Sequence, residues 1–449
     1  MDLLSRVYYG NTLFDWTVAL LMVLGSALAA RALYWIMGSR VKRLTMKTKT
    51  SLDDIMLQVV QGPVVLLLAL TGAHLSLMRL HFSDSVRAGE GTVFSLAIAI
   101  QNLAWGIFGP LAGMVADRYG AFRVLLIGGL FYAGGLVLMA LSTSGLAFTG
   151  SAGLLLGMAQ AGTTYAIVFG VIARNVAPEK RSWAMGVAAA AGSFGQFLMV
   201  PVENWLIGGW GWQNALFVLG MMALLILPLA FGLREPAQRG SQAGPQQSVR
   251  AALHEAFNHK GFRLLTAGYF VCGFQVVFIG VHMPAYLKDH GLEPGVATAA
   301  LALIGLFNVF GTYIAGTLGQ RLSKPRMLSA IYLLRSVVIV LFISAPLTPW
   351  SVYLFAAAMG LLWLSTVPPT NAVVAQIFGV QYMSMLGGIV FLNHQLGSFL
   401  GAWLGGRLYE STGSYDIVWW IAVALGVFAA VVNWPVRDTP IVRPVPQPA

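Results

Sequence analysis

Residues 109–126 read GPLAGMVADRYGAFRVLL. Asp117, Arg118 and Arg123 are crowded together here, spaced by Gly113 and Gly120, between two long apolar runs. The chain around them is 57% hydrophobic and only 10% charged, whereas a soluble domain carries about 25% charged residues. Its mean hydropathy is +0.75. Apolar runs long enough to cross a hydrocarbon layer roughly 30 Å thick recur along it. Backbone amides without water must bond within their own segment, so such spans are helices. The runs are continuous rather than alternating, which is not the pattern of an outer-membrane barrel. The sequence therefore predicts an all-α polytopic membrane protein.

Thirteen spans are predicted, at 16–37, 57–80, 93–116, 124–142, 147–173, 184–207, 214–233, 263–287, 297–319, 327–345, 350–376, 384–408 and 415–434. The first run has full membrane length and no small-residue cleavage site after it, so no cleaved signal peptide is expected. Cys272 is the single cysteine, which rules out an internal disulfide.

The formal charge of +11 invites a nucleic-acid partner, but the positions of the charges argue against one. With the N-terminus external and the C-terminus cytoplasmic, most Lys and Arg fall on the inner side. Arg6, Arg79, Arg87 and Lys288 fall outside, and Arg31, Arg335 and Arg407 fall within helices. That asymmetry is the positive-inside bias of a multi-pass inner-membrane protein. The expected partners are the lipid bilayer and a small molecule, with no nucleic acid.

The longest polar gap is 234–262, rich in Gly, Pro, Gln and Ser, and reads as a flexible linker ending in a short surface helix. It separates two hydrophobic halves. Residues 113–123, GMVADRYGAFR, align with 316–326, GTLGQRLSKPR, so that Gly113 matches Gly316, Arg118 matches Arg321 and Arg123 matches Arg326. Gly192-Ser193-Phe194 likewise matches Gly397-Ser398-Phe399. Two bundles in the same orientation, related by a pseudo-twofold, follow from this repeat.

With these residues in hand, the chain resembles the major facilitator superfamily over residues 85–435. Gly113, Asp117, Arg118, Gly120 and Arg123 reproduce that family's Gly-x-x-x-Asp-Arg-x-Gly-x-x-Arg signature between its second and third helices. The stretches SFGQFLMVP (193–201), GWQNA (211–215) and 181–186 are similar to the bacterial monocarboxylate-transporter branch. The physical reading of the signature is a conformational latch. Gly113 lets helices approach closely, and Gly120 permits a tight turn. Asp117 can pair with nearby arginines and face the positive end of a helix in the other half, near Ser384. Arg118, Arg123, Arg321 and Arg326 complete the set. The positive-inside rule accounts for the arginines but not for Asp117 or the glycines.

Polar residues at membrane depth are costly and mark a pathway or a helix contact. The candidates for substrate contact are Gln101, Asn102, Gln160 with Thr163 and Thr164 on one face, Tyr165, Gln275 and His282 on one stripe, Asn308, Asn371, Asn393, His394 and Arg335. Pro368-Pro369 must distort their helix and free backbone carbonyls. Arg335 lies roughly 12 Å into its helix at about 1.5 Å per residue, and its guanidinium needs a partner. A substrate carboxylate is one, and a neighbouring helix is the other, because the resemblance puts this helix on the periphery. His282, His394 and Glu203 are the candidates for proton coupling, with Glu203 also readable as a solvated rim. The monocarboxylate branch often carries an Asp and an Arg one turn apart on its eighth helix. Here Asn308 and Thr312 stand at those positions.

Residues 5–80 depart from the facilitator pattern. RVYYGNTLFDW, ARALYW and RLTMKTKTSLDDIMLQVVQGP resemble the N-terminal membrane segment of the small-conductance mechanosensitive channels. Residues 85–435 then supply eleven facilitator helices, and 57–80 runs from inside to outside, the direction needed to occupy the place of the missing first one. The organisation expected is an atypical two-helix segment at 1–82, a first bundle at 83–233, the linker at 234–262, a second bundle at 263–436 and a cytoplasmic tail at 437–449.

The resemblance implies a secondary transporter of a small organic anion, a monocarboxylate, working by alternating access with proton symport. The alternatives are a transport-incompetent fusion and a mechanosensitive channel-like component. No metal cluster, nucleophile constellation or phosphate-binding Gly-Lys motif is present. No enzyme activity, cofactor or metal is expected.

Overall fold

A computed structural model describes residues 7–8, 11–36, 89–235 and 247–443. It divides into two units, Met1–Ser95 and Leu96–Ala449. In the first, β1 (Val7–Tyr8) pairs antiparallel with β2 (Asn11–Thr12), and α1 (Leu13–Ile36) follows, close to the expected span at 16–37. The expected span at 57–80 lies outside the described residues.

The second unit is helical throughout its described part. The first bundle runs through α2 (Gly89–Tyr119), from Leu96 on, then α3 (Ala121–Ala140), α4 (Gly145–Phe148), a π-helical segment (Thr149–Leu155), α5 (Leu156–Gly162), α6 (Tyr165–Asn175), α7 (Pro178–Ala223) and α8 (Ile226–Phe231). One residue joins α2 to α3. It is Gly120 at φ +92°, a left-handed backbone that a residue with a Cβ resists. A kink at Gly211 divides α7, which therefore joins the spans expected at 184–207 and 214–233.

The span expected as one helix at 147–173 is interrupted instead. Thr163 leaves helical geometry and Thr164 is extended, at φ −75° and ψ 163°. Two causes coincide. Gly162 lies so close to Gly128 that a Cβ would stand 3.1 Å from its Cα, and two β-branched residues follow it. Gln160, Thr163 and Thr164 therefore do not share one helical face.

After the linker come α9 (Val249–Asn258), α10 (Lys260–Asp289), α11 (Pro294–Leu318), α12 (Lys324–Ser344), α13 (Pro349–Leu362), α14 (Val367–Phe378), α15 (Met383–Thr412) and α16 (Asp416–Asn433). α9 is the short helix expected at the end of the linker. Its hydroxyl N-cap is Ser248, which accepts from Ala251 N at 3.2 Å. The distortion expected at Pro368-Pro369 falls just ahead of them. α13 stops at Leu362 and the prolines enter the first turn of α14, where a missing N–H leaves no bond unmade.

Among the described residues, ten helices are long and apolar enough to cross a membrane. α15, thirty residues long, runs beside them with its apolar content diluted by Asn393, His394 and Gln395. Exposed apolar side chains such as Leu229, Leu354 and Trp350 are explained by hydrocarbon rather than water around the bundle.

In both bundles glycine carries close helix approaches, as with Gly128 on Gly162 and Gly157 on Ala104 in the first and Gly401 on Phe274 in the second. The second bundle adds interlocked aromatic rings. Phe342 stacks on Phe355 at 4.0 Å, and Trp419 meets Phe278, Tyr286, Phe342 and Phe355 at 4.9–6.0 Å. Trp419 thereby ties α10, α12 and α13 to α16, at 1% exposure. Trp419→Ala is expected to cost about 3–5 kcal/mol and to lower the melting temperature in detergent, while Trp350→Ala at 77% exposure leaves it nearly unchanged.

Candidate functional site

α15 begins without a cap of its own, since its N-cap residue Tyr382 offers no side-chain acceptor to the first turn. Its orphan amides are satisfied from the first bundle. Asp117, at the end of α2, accepts from Ser384 N at 3.1 Å and from Met385 N at 2.8 Å. The carboxylate is fully buried and so cannot be left unpaired. Amide donors and the positive end of α15 both favour its charge. The remaining partner is Arg174 at the end of α6, whose Nη1 donates to Oδ1 at 2.7 Å. Arg174 is itself held by Glu235, through Nε at 2.9 Å and Nη2 at 3.0 Å, the bidentate geometry of a strong pair. Asn175 adds a bond to Glu235 at 3.1 Å.

The arginine on Asp117 is thus not one of those beside it in sequence. Arg118 is exposed and stacks over Tyr119. Arg123 turns back to the Tyr119 carbonyl. Arg321 is exposed, and Arg326 lies over the Trp434 ring. Residues i and i+1 of a helix point about 100° apart, so Arg118 cannot share the face of Asp117. Glu235, inside the nominal linker, carried no sequence signal beyond its charge.

Two antiparallel seams run from this arginine-rich end towards the middle of the unit. In one, α2 crosses α15. A Cβ on Gly113 would collide with the Ser384 carbonyl, and one on Gly388 would stand 2.8 Å from Pro110 Cα. The seam ends where Gln395 Nε2 donates to Asn102 Oδ1 at 3.0 Å. In the other, α7 crosses α11. A Cβ on Gly186 would stand 2.6 Å from Gly316 Cα, and Asn308 Nδ2 donates to Ser193 Oγ at 2.9 Å. Both motif copies therefore lie at the same end.

The remaining polar residues fall into two groups. Asn102 and Gln395 meet between the bundles, and His394 Nδ1 lies 3.1 Å from Gln395 Oε1 with its ring against Phe391 at 5.3 Å and Tyr269 of α10 at 5.1 Å. Gln101, Gln160, Tyr165 and Asn393 are half-buried. Tyr165 donates to the Ala189 carbonyl at 3.3 Å, and buried Asn371 donates to the Val367 carbonyl at 3.0 Å. The other group is internal to the second bundle. His282 bonds the Ala402 carbonyl at 2.8 Å, and Gln275 donates to the Ala422 carbonyl at 2.9 Å.

Arg335 belongs to that internal group. It is 1% exposed and donates to the carbonyls of Leu362 and Trp363, to Gln275 Oε1 at 3.3 Å and to Cys272 Sγ at 3.7 Å. Those two carbonyls are the ones freed where α13 stops. On the other side of the break, Asn308 Oδ1 accepts from Leu364 N at 3.0 Å. Arg335 and Asn308 together satisfy an interrupted helix inside lipid. Arg335→Gln is expected to leave at least one carbonyl orphaned, at about 1–3 kcal/mol. It should lower the melting temperature while any transport that remains keeps its KM; a raised KM at unchanged stability would instead mark a substrate contact.

The sequence model of the Major Facilitator Superfamily matches residues 64–402, and the chain belongs to that family. The match begins inside the stretch expected to form the span at 57–80. Monocarboxylate transporter 13 of Rattus norvegicus is 27% identical over 339 residues, covering 74% of this chain and 76% of its own. The uncharacterized MFS-type transporter YcxA of Bacillus subtilis is 23% identical over 377 residues, covering 79% and 88%. Among solved structures, the fucose:proton symporter of E. coli aligns with a TM-score of 0.61 at 14% identity, covering 76% of this chain and 91% of that one. The protein is therefore a multi-pass membrane transporter of this superfamily and not an enzyme.

Proposed function

We propose that the protein moves a small organic anion of the monocarboxylate class across the cell membrane by alternating access, with protons as the coupling ion. The observation that carries the reading is the cap of Asp117 on α15, a bond that exists only while the two bundles meet at the arginine-rich end. The two glycine seams are the other half of the same closure. On this reading the closed end is cytoplasmic, by the positive-inside bias, and the substrate enters from the opposite side.

Relatives named as monocarboxylate transporters support the substrate class, and the likeness in fold to a proton symporter agrees with the coupling. Gln101, Asn102, Gln160, Tyr165, Asn371, Asn393 and His394 are the binding candidates this reading keeps. With Asn308 and Thr312 neutral, His394 is the proton-coupling candidate this reading keeps, and its bond to Gln395 links it to Asn102. His282 is bonded to the Ala402 carbonyl inside the second bundle, and Glu203 is half-buried on α7. Gln275 and Arg335 are assigned to bracing the break between α13 and α14. The latch consists of Gly113, Asp117 and Gly120 with Arg174 and Glu235, while Arg118, Arg123, Arg321 and Arg326 serve orientation. The family match begins at residue 64, inside the stretch expected as the span at 57–80. The resemblance of residues 5–80 to mechanosensitive channels concerns the origin of the segment.

Proteoliposome counterflow with a panel of short carboxylates, across imposed pH gradients, tests the function. Uptake of at least one, stimulated by an acidic outside, is expected. No flux for any of them at any gradient would leave the transport-incompetent fusion as the better reading. Asp117→Asn removes the charge from the interbundle bonds, each worth about 1.5–3 kcal/mol, and is expected to cut turnover about tenfold with expression intact; unchanged turnover would remove the latch from the mechanism.

A further inference from the structure

The turn between α14 and α15, residues 379–382, carries the amides that Asp117 caps. It is held from two directions by segments that belong to neither bundle's spans. From the linker side, the Gln247 carbonyl accepts from Tyr382 Oη at 2.6 Å and from Gln381 Nε2 at 3.4 Å. α9 follows directly, with Ala252 and Ala256 buried against Phe262, Phe378 and Val436. From the other side, the stretch after α16 runs along the end of α14. Ile441 N donates to the Ile377 carbonyl at 3.0 Å, and Arg443 Nη2 donates to the Phe378 carbonyl at 2.9 Å. These are the last two carbonyls of α14, which a helix leaves without partners of its own.

The two segments are bound to each other. Arg443 meets Glu255 of α9 through Nη2 to Oε1 at 2.6 Å and Nε to Oε2 at 3.1 Å. Gln247 Nε2 donates to the same carboxylate at 3.0 Å. An isolated exposed ion pair contributes little. This one is bidentate, half-buried and joined to two helix ends, the arrangement in which such pairs count.

We propose that Glu255 and Arg443 form a clasp through which the linker helix and the segment after α16 position the first turn of α15 for Asp117, and so bias the closure of the arginine-rich end. The proposal rests on the Asp117 contact being the latch. Glu255 and Arg443 are positioning residues that touch no substrate candidate. The hydrogen bond from Arg443 holds the Glu255 carboxyl below the usual carboxylate range, with the Arg443 charge, Gln247 and His259 acting in the same direction against burial. A depressed carboxylate contributes its stability above the unfolded value and loses it only as pH falls through the lowered one. The clasp is therefore charged at neutral pH.

The test uses the full chain in nanodiscs, in a Cys272→Ser background, with spin labels on cysteines placed at Glu179 and Ser323. Both positions are exposed at the arginine-rich end, one in each bundle. Glu255→Ala and Arg443→Ala are each expected to lower the ratio of short to long label distances by about tenfold, within the usual range of a coupling between sites. The double variant should do no more than Arg443→Ala alone, since partners acting as a unit are not additive. A loss of fold stability alone would not move that ratio. Asp117→Asn in the same background separates the two readings. If Asp117→Asn widens the distances and neither clasp variant does, the clasp is wrong and the latch stands. If Asp117→Asn changes nothing, the latch reading fails and the clasp falls with it.

Discussion

A carboxylate with no exposed surface, at the uncapped start of a helix from the other bundle, is the constraint around which the arginine-rich end is built. Asp117 is charged only where enough donors surround it, and three converge: Ser384 N, Met385 N and Arg174 Nη1. None of them lies on its own helix, so α2, α6 and α15 must all be in place at once. Arg174 in turn needs Glu235 to fix its fork. The approach also requires that nothing stand between α2 and α15, which is why glycine occupies position 113. An acid, a base and a glycine thus become one arrangement, and each is costly without the others.

Packing inside the second bundle differs from packing at the seams. Aromatic rings interlock inside the second bundle, around Trp419. Between the bundles, glycine seams and single amide bonds, as at Gly186 and Gly316 or Ser193 and Asn308, run beside an aromatic contact of Trp105 with Phe391. Interlocked rings lose large contact areas on separation, whereas smooth backbone seams and a few hydrogen bonds part at modest cost. Arg335 shows a different use of charge. It closes the gap left where α13 stops, and Asn308 closes the other side of the same break while reaching Ser193 across the seam.

The class of the protein was legible in its composition and in one eleven-residue motif with its repeat. Continuous apolar runs define helices in lipid because backbone bonding there is local. The Gly-x-x-x-Asp-Arg signature and the docking of Asp117 near Ser384 were readable because a buried acid has few places to go. The break at Thr163 and Thr164 was not readable from the continuous apolar run around it. The same is true of Arg335, whose depth was clear while its partners were not.

What the sequence determined alone is what short-range physics fixes, the many apolar helices that lipid requires. What only the tertiary structure decided is which charges pair. Arg118 is adjacent to Asp117 in sequence and points away, while Arg174 is fifty-seven positions distant and makes the bond. Glu255 and Arg443 are farther apart still, at 188 positions. Pairing of this kind depends on which helix faces meet in space, and the order of residues along the chain carries that information only through the fold.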